Sequence, residues 1–161
     1  MKNILAYLLL LIGFMITTSC TASSGQDGDL FPGINVPEKN INSKIVLQNF
    51  PGEPQSYKVG DSLAFGIINQ SVYNITFHND FDVKIFIKQD EVWEPINNKV
   101  EYPEGERILP TKKIDPTGLV LFVLPDLGEI KSSTIVRIVV IGQVKDKSEQ
   151  VGAYIDVHYA P

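Results

Sequence analysis

The chain holds one cysteine in 161 residues, so no internal disulfide can form and any covalent role for a thiol falls on Cys20. Histidine is nearly as scarce. His78 and His158 are the only two, which leaves no Cys/His zinc set and no histidine near Cys20 in sequence to activate it as a nucleophile. Basic charge is sparse as well, with 14 Lys and Arg against 19 Asp and Glu for a net charge of −5. The densest basic spot, Lys112-Lys113, is followed at once by Ile114-Asp115. This excludes a nucleic-acid surface and electrostatic capture by anionic lipid, both of which need a basic cluster. No nucleophile elbow, HExxH helix or phosphate-binding glycine loop occurs, and "VGDS" and "PTG" lack the surrounding pattern such sites require. The expectation is therefore a chain that is not an enzyme and carries no cofactor.

What is present begins at the N-terminus. Met1-Lys2-Asn3 supplies one positive charge, Ile4 to Ile16 is uncharged throughout, and Thr17-Thr18-Ser19 are small polar residues before Cys20. This is the three-part plan of a secretory signal. As a helix the apolar run would span only about 20 Å of a hydrocarbon core about 30 Å thick. It also lacks the polar face of a buried core helix, since Ile4 to Ile12 is apolar all round.

Thr17-Thr18-Ser19-Cys20 resembles the lipobox of bacterial lipoproteins. Thr18, Ser19 and Cys20 fit that pattern, while Thr17 stands where a leucine or similar residue is usual. The resemblance implies a diacylglyceryl group on Cys20, cleavage of residues 1–19, and a protein lipid-anchored on the extracytoplasmic face of a cell membrane. More than one acyl chain gives a stable anchor, each buried methylene contributing about 0.8 kcal/mol.

Residues 20–40 read as the lipidated cysteine and a flexible tether, because "TASSGQDGDLFPGINVPEKN" mixes Ser, Gly, Asp, Asn and Pro with few apolar side chains. Residues 41–161 remain as one domain, about 120 residues, enough for a core of its own. There the apolar residues fall at period two. Leu63, Phe65 and Ile67 alternate with Ser62, Ala64 and Gly66. Val83, Ile85 and Ile87 alternate with Lys84, Phe86 and Lys88, and Val151 to Tyr159 repeats the pattern. Each segment predicts a strand with one face in the core and one facing water. Strands are expected near 43–49, 61–69, 73–78, 82–88, 118–124, 134–143 and 151–159. No helical periodicity of ten or more residues follows Cys20. The span from Glu94 to Ile114 reads as a long irregular crossing between sheets, with a short edge strand around Lys99 to Tyr102. About seven strands in this length predict an all-β antiparallel sandwich.

The order of these segments resembles the immunoglobulin-like domains of bacterial surface and secreted proteins. Tyr57, Gly60-Asp61, Asn69 and Trp93 stand where such domains place a strand-opening turn, an end-of-strand asparagine and a packed tryptophan. The cysteine pair of antibody domains is absent, so the likeness is to the sandwich architecture.

Candidate sites are few. "HNDFD", His78 to Asp82, offers two carboxylates for calcium, but they fall short of six to eight oxygen ligands, and the segment reads as a polar turn, as "QDGD" reads as tether. Glu101, Glu104 and Glu106 cluster in the long connection without an announced cleft. Asn69-Gln70-Ser71 and Asn74-Ile75-Thr76 match a glycosylation sequon that carries no function in a bacterial chain. Trp93, between Glu91 and Glu94, reads as a ring covering the edge of the core. No metal site is expected, and Cys20 is the one assigned functional residue. The sequence thus predicts a non-catalytic binding module of the bacterial cell envelope, its partner an envelope protein, a cell-wall polymer, or a neighbour's sheet extended at an exposed strand edge. The alternative is a protease inhibitor, since one bacterial inhibitor family uses a small immunoglobulin-like sandwich.

Overall fold

A computed structural model describes residues 32–52, 54, 56–81, 83–96, 104–114, 117–128, 130 and 132–161. Residues 1–19, Cys20 and the 99–102 segment lie outside the described residues.

The alternation in the sequence becomes two facing sheets. β1 (Ile45–Asn49), β3 (Ser62–Asn69) and β8 (Thr117–Val123) form a three-stranded antiparallel sheet in the order β1-β3-β8. The second sheet is built on a hairpin of two long strands, β9 (Thr134–Val144) and β10 (Gln150–Tyr159), paired along their whole length from Thr134 opposite Tyr159 to Gln143 opposite Gln150. The other side of β9 receives two shorter strands end to end. β5 (Lys84–Gln89) pairs with Val136 to Val139, and β4 (Ile75–His78) pairs with Gln143 and Val144. Outside them, β6 (Val92–Ile96) pairs with β5 and β7 (Glu106–Leu109) with β4. β2 (Ser56–Tyr57) adds a short parallel pairing at the end of β10. The first part of the chain thus supplies β1 to one sheet and β2 to the other, and the whole is an immunoglobulin-like sandwich, antiparallel in every strand pair but β2–β10.

All seven expected segments form strands, and β2, β6 and β7 are additional. The span 94–114, expected to be irregular, carries the end of β6 and all of β7. Between β4 and β5, Asn79, Asp80 and Phe81 all take left-handed backbone angles, with φ of 47°, 50° and 81°. Such angles are costly for an aromatic residue and persist only where packing over-determines them. Phe81 is held there by burial and by an edge-on contact with Phe77 at 4.8 Å between ring centroids.

The core lies between the sheets. Leu63, Phe65 and Ile67 of β3 face Val136, Ile138 and Val140 of β9 and Val151 and Ala153 of β10, and all are fully buried. Each large apolar side chain buried in this way contributes about 1.5–3 kcal/mol. Gly142 also points inward. A Cβ there would lie 2.6 Å from Ile75 Cγ2 and 2.8 Å from Phe77 Cε1, so the strand passes under those two side chains only because it lacks one.

The outer face of the second sheet does not face water as the alternation predicted. Phe86 and Val139 are buried in a small outer cluster covered by Ile34, Ile41, Trp93, Ile141 and Tyr154. The last residues of the span expected to be tether supply part of that cover. Val36 is buried, Glu38–Asn40 forms one 3-10 turn, Asn40 Nδ2 donates to the Gln150 carbonyl at 2.9 Å, and Ile41 bridges to Gly152. Packing therefore begins before residue 41.

Candidate interaction surface

The most heavily built polar feature lies on that outer face. Arg137 of β9 sits directly opposite Asp156 of β10 and beside Phe86 of β5, and only 6 % of it is exposed. Its Nε donates to Asp156 Oδ1 at 2.7 Å and its Nη2 to Oδ2 at 2.8 Å. The guanidinium lies between two rings, 3.9 Å from the Trp93 centroid and 4.0 Å from that of Tyr154. Stacking on aromatic faces and a two-pronged carboxylate contact are what planar arginine does well. Trp93 is therefore packed, but over the outer cluster and not at the edge of the main core. Asp156 also lines an open depression with Asn49, Phe50, Tyr57 and His158. Both its carboxylate oxygens already accept hydrogen bonds from Arg137, so it is committed to structure and poorly placed as a general base.

The other candidates separate in space. His78 to Phe81 forms the expected turn, Asp80 pairs with Arg107 of β7, and Arg107 also lies 5.0 Å from the Phe81 ring centroid. Asp82 and Glu101 lie outside the described residues, while Glu104, just before β7, and Glu106, its first residue, are exposed. Among the described residues no group of three or more His, Cys, Asp or Glu side chains converges on one point. Asn69 is fully buried. Its amide nitrogen donates to the carbonyls of Tyr73 at 2.7 Å and Pro110 at 2.8 Å, and its oxygen accepts from the Ser71 backbone at 2.9 Å. It fastens the end of β3 to the start of the β7–β8 connection.

What remains open is β8. It is an edge strand, paired with β3 on one side and with no other strand among the described residues. Val120 and Phe122 point into the core, whereas Leu119, Leu121 and Val123 point out and are 43 %, 60 % and 48 % exposed. Their partners on β3 are small: Gly66 lies opposite Leu119, Ala64 opposite Leu121 and Ser62 opposite Val123. The three apolar side chains therefore stand proud along the margin of the sheet. Gly66 lacks a side chain on this face, and Gln48 of β1 lies over it, 3.2 Å from where its Cβ would be.

The other margins are guarded. β6 carries Glu94 and Pro95, and β7 carries Glu106 and Arg107. β10 is covered by β2 at one end and near its middle by Asn42, whose backbone donates to the Gly152 carbonyl and whose side chain accepts from the Tyr154 backbone. β1 begins at the Lys44–Glu149 ion pair, which ties it to the β9–β10 hairpin. Charge, proline and covering are the usual defences of a sheet edge. Among the described residues β8 has none of them: "TGLVLFV" contains no charged residue and no proline. The sequence reading placed this strand but missed its outward face. The signal was there, since Leu119 to Val123 is apolar at every position where a strand with a wet face would alternate.

No protein-family model matches the chain, and no curated protein matches it. Among solved structures, the ASH / PapD-like domain of human CEP192 (PapD-like domain 7) is similar, with 12 % identity and a TM-score of 0.36 over 72 % of this chain and 82 % of that one.

Proposed function

We propose that this chain is a lipid-anchored, extracytoplasmic binding module of a bacterial cell envelope. In this reading Cys20 carries the lipid after residues 1–19 are removed, and the sandwich acts by binding through the β8 margin. The observation that carries the binding half is the uncharged edge strand with Leu119, Leu121 and Val123 exposed along it. An edge of this kind adds a further strand, main-chain hydrogen bonds supplying affinity and alternate side chains supplying selectivity. The anchoring half is supported by the order of charge, apolar run, small residues and cysteine in residues 1–20.

Two measurements test the halves separately. Cys20→Ala is expected to abolish incorporation of radiolabelled fatty acid, and equal labelling of the variant would overturn lipid attachment at this residue. For the edge, Leu121→Lys is expected to remove cross-linked adducts of the tagged protein in intact cells while its membrane association is unchanged. An adduct pattern identical to wild type would overturn the role of β8.

A further inference from the structure

We infer that the end of the sandwich from which the chain leaves toward Cys20 is a membrane-facing surface, seated on a bilayer that carries anionic headgroups. The inference rests on the reading of Cys20 as a lipid anchor and adds the orientation that an anchor alone does not fix.

Four connections meet at this end, and hydrogen bonds fasten them to one another. The start of the described chain lies beside the β9–β10 turn, where Asn35, Asn40, Ser148 and Glu149 line one depression. Lys145 donates its backbone N–H to the Asn74 carbonyl at 2.9 Å, and Gln70 donates to that of Lys44 at 2.8 Å. Lys112 donates to the Ser71 carbonyl at 3.2 Å, which holds the β7–β8 connection against the β3–β4 connection. The chain from Cys20 to Asn35 spans at most about 50 Å even when fully drawn out. The opposite end of the sandwich lies about 35 Å further along β9.

What this end presents suits a headgroup layer. Val72, Tyr73 and Ile114 are 52 %, 41 % and 77 % exposed. Around them stand Lys112, Lys113, Lys145 and Lys147, all exposed, with the Lys147 ammonium 3.6 Å from the Tyr73 ring centroid. Apolar tips that enter the headgroup boundary, an aromatic ring at that level and lysines that reach anionic groups beside it are how a module sits on a bilayer. Lys39 and Lys44 lie at the same end, against Glu38, Asp146 and Glu149 among the described residues. Exposed apolar side chains occur at the opposite end too, in Phe50, Val59 and Val92. There, however, the described charges are Asp61, Asp90, Glu91 and Asp126 against Lys58 and Lys88. Apolar tips, an excess of lysine and the exit of the chain therefore coincide at one end.

In the sequence these lysines are spread over three segments, and the visible pair, Lys112-Lys113, leads into Asp115. Folding gathers them. With Asp115, and with Asp27 and Asp29 on the way to Cys20, the cluster does not capture a protein from solution. It acts on a domain that the lipid already holds, where tethering raises the effective concentration of headgroups. Seated in this way, the β8 margin runs from Thr117 at the bilayer to Val123 at the far end and faces sideways, toward whatever is anchored nearby.

The test uses the lipidated full chain in phosphatidylcholine vesicles with and without phosphatidylglycerol. The lipid takes up the Cys20 sulfur, so an introduced cysteine is the single thiol to label. An environment-sensitive dye at Ile114→Cys is expected to shift to the blue and to be quenched by nitroxide-headgroup lipid in the anionic vesicles. The same dye at Val92→Cys, equally open to solvent at the other end, is expected to do neither. The Lys112→Gln/Lys113→Gln/Lys145→Gln variant is expected to relieve the quenching at Ile114. So is salt raised to about 1 M, where the screening length shrinks to about 3 Å. Quenching at Ile114 no greater than at Val92 would overturn the seating. Quenching indifferent to headgroup charge, to the lysine variant and to salt would overturn an anionic bilayer as the occupant. Radiolabelled fatty acid reports the anchor separately: labelled protein without quenching at Ile114 loses the seating and keeps the anchor, whereas protein that takes up no label loses both. If the seating fails while Ile114→Lys still removes adducts cross-linked in cells, this end receives a protein instead.

Discussion

Arg137 and Asp156 lie directly opposite each other on β9 and β10, and two guanidinium nitrogens donate to the two carboxylate oxygens at 2.7 and 2.8 Å. The pair is unequally placed, for Arg137 is nearly buried between Trp93 and Tyr154 whereas the Asp156 side chain is 36 % exposed. Removing the carboxylate leaves a desolvated cation facing its ring partners, which for fully buried pairs costs about 3–5 kcal/mol. Solvent access to Asp156 reduces this, so Asp156→Ala is expected to cost about 2 kcal/mol in urea unfolding. Arg137→Met keeps the apolar packing between the rings and is expected to cost less than Asp156→Ala. The reverse order would show that attraction within the pair, and not burial of the arginine, dominates.

Asn69 gives a second prediction. Asn69→Ala leaves the Pro110 carbonyl without its buried donor, at about 1–3 kcal/mol for an unsatisfied group, while the Tyr73 carbonyl keeps the Ser71 hydroxyl. The variant is expected to unfold at lower urea concentration with an unchanged m-value. Asn69→Asp sets a carboxylate against those same carbonyls, which raises the folded-state pKa of the new acid. Its stability should therefore fall as pH rises from acid to neutral, relative to Asn69→Ala. A parallel pH course for the two variants would count against the donor role.

Gly142→Ala would place a methyl within 3 Å of Ile75 and Phe77, closer than real contacts allow. Overpacking of this kind costs about 1–3 kcal/mol. Since β4 and β9 pair at this level, the loss is expected to appear as faster amide exchange in β4, and unaltered exchange there would argue that the strands shift apart freely.

Glu149 supplies a pH prediction. The hydrogen bond from Lys44 holds its carboxyl below the usual carboxylate range, with the charges of Lys44 and Lys147 adding to the effect against the opposing cost of desolvation. A folded-state pKa below the unfolded one contributes stability that is present above the unfolded value and is lost as pH falls through the folded value. Wild type should therefore lose stability relative to Glu149→Gln on acidification through and below the ordinary glutamate range. Added salt should shrink the difference, because the pair is partly exposed. An identical acid slope in the two proteins would sink this account.

The strands that were legible in the sequence are those whose burial is decided by their own alternation. β3, β9 and β10 carry long apolar repeats that only one register satisfies. β6 and β7 were hidden because Pro95, Glu94, Glu106 and Arg107 are edge residues, and a guarded edge reads locally as loop. β2 is two residues long and exists by pairing with the end of β10, roughly a hundred positions away, which no window around Tyr57 contains. Phe86 was expected to face water because its neighbours Lys84 and Lys88 do. Its burial depends on Trp93, Tyr154 and residues near the N-terminal edge of the described chain, brought together only by the finished sheet. The candidate sites divide in the same way: the expectation at Cys20 rests on residue types alone, while the exposed stripe on β8 required knowing which side of the strand the core occupies.

The position of the β9–β10 hairpin within the chain has a kinetic consequence. β4, β5, β10 and, through them, β6 and β7 all attach to β9, yet β9 starts only at Thr134. A ribosome that has made everything up to that point has produced five strands that cannot complete their sheet, with the greasy margin of β8 already made beside them. The fold is completed from its last-made end, so the second sheet lacks its central strand until synthesis is almost over. Truncation by even a few tens of residues should abolish the whole domain instead of trimming it.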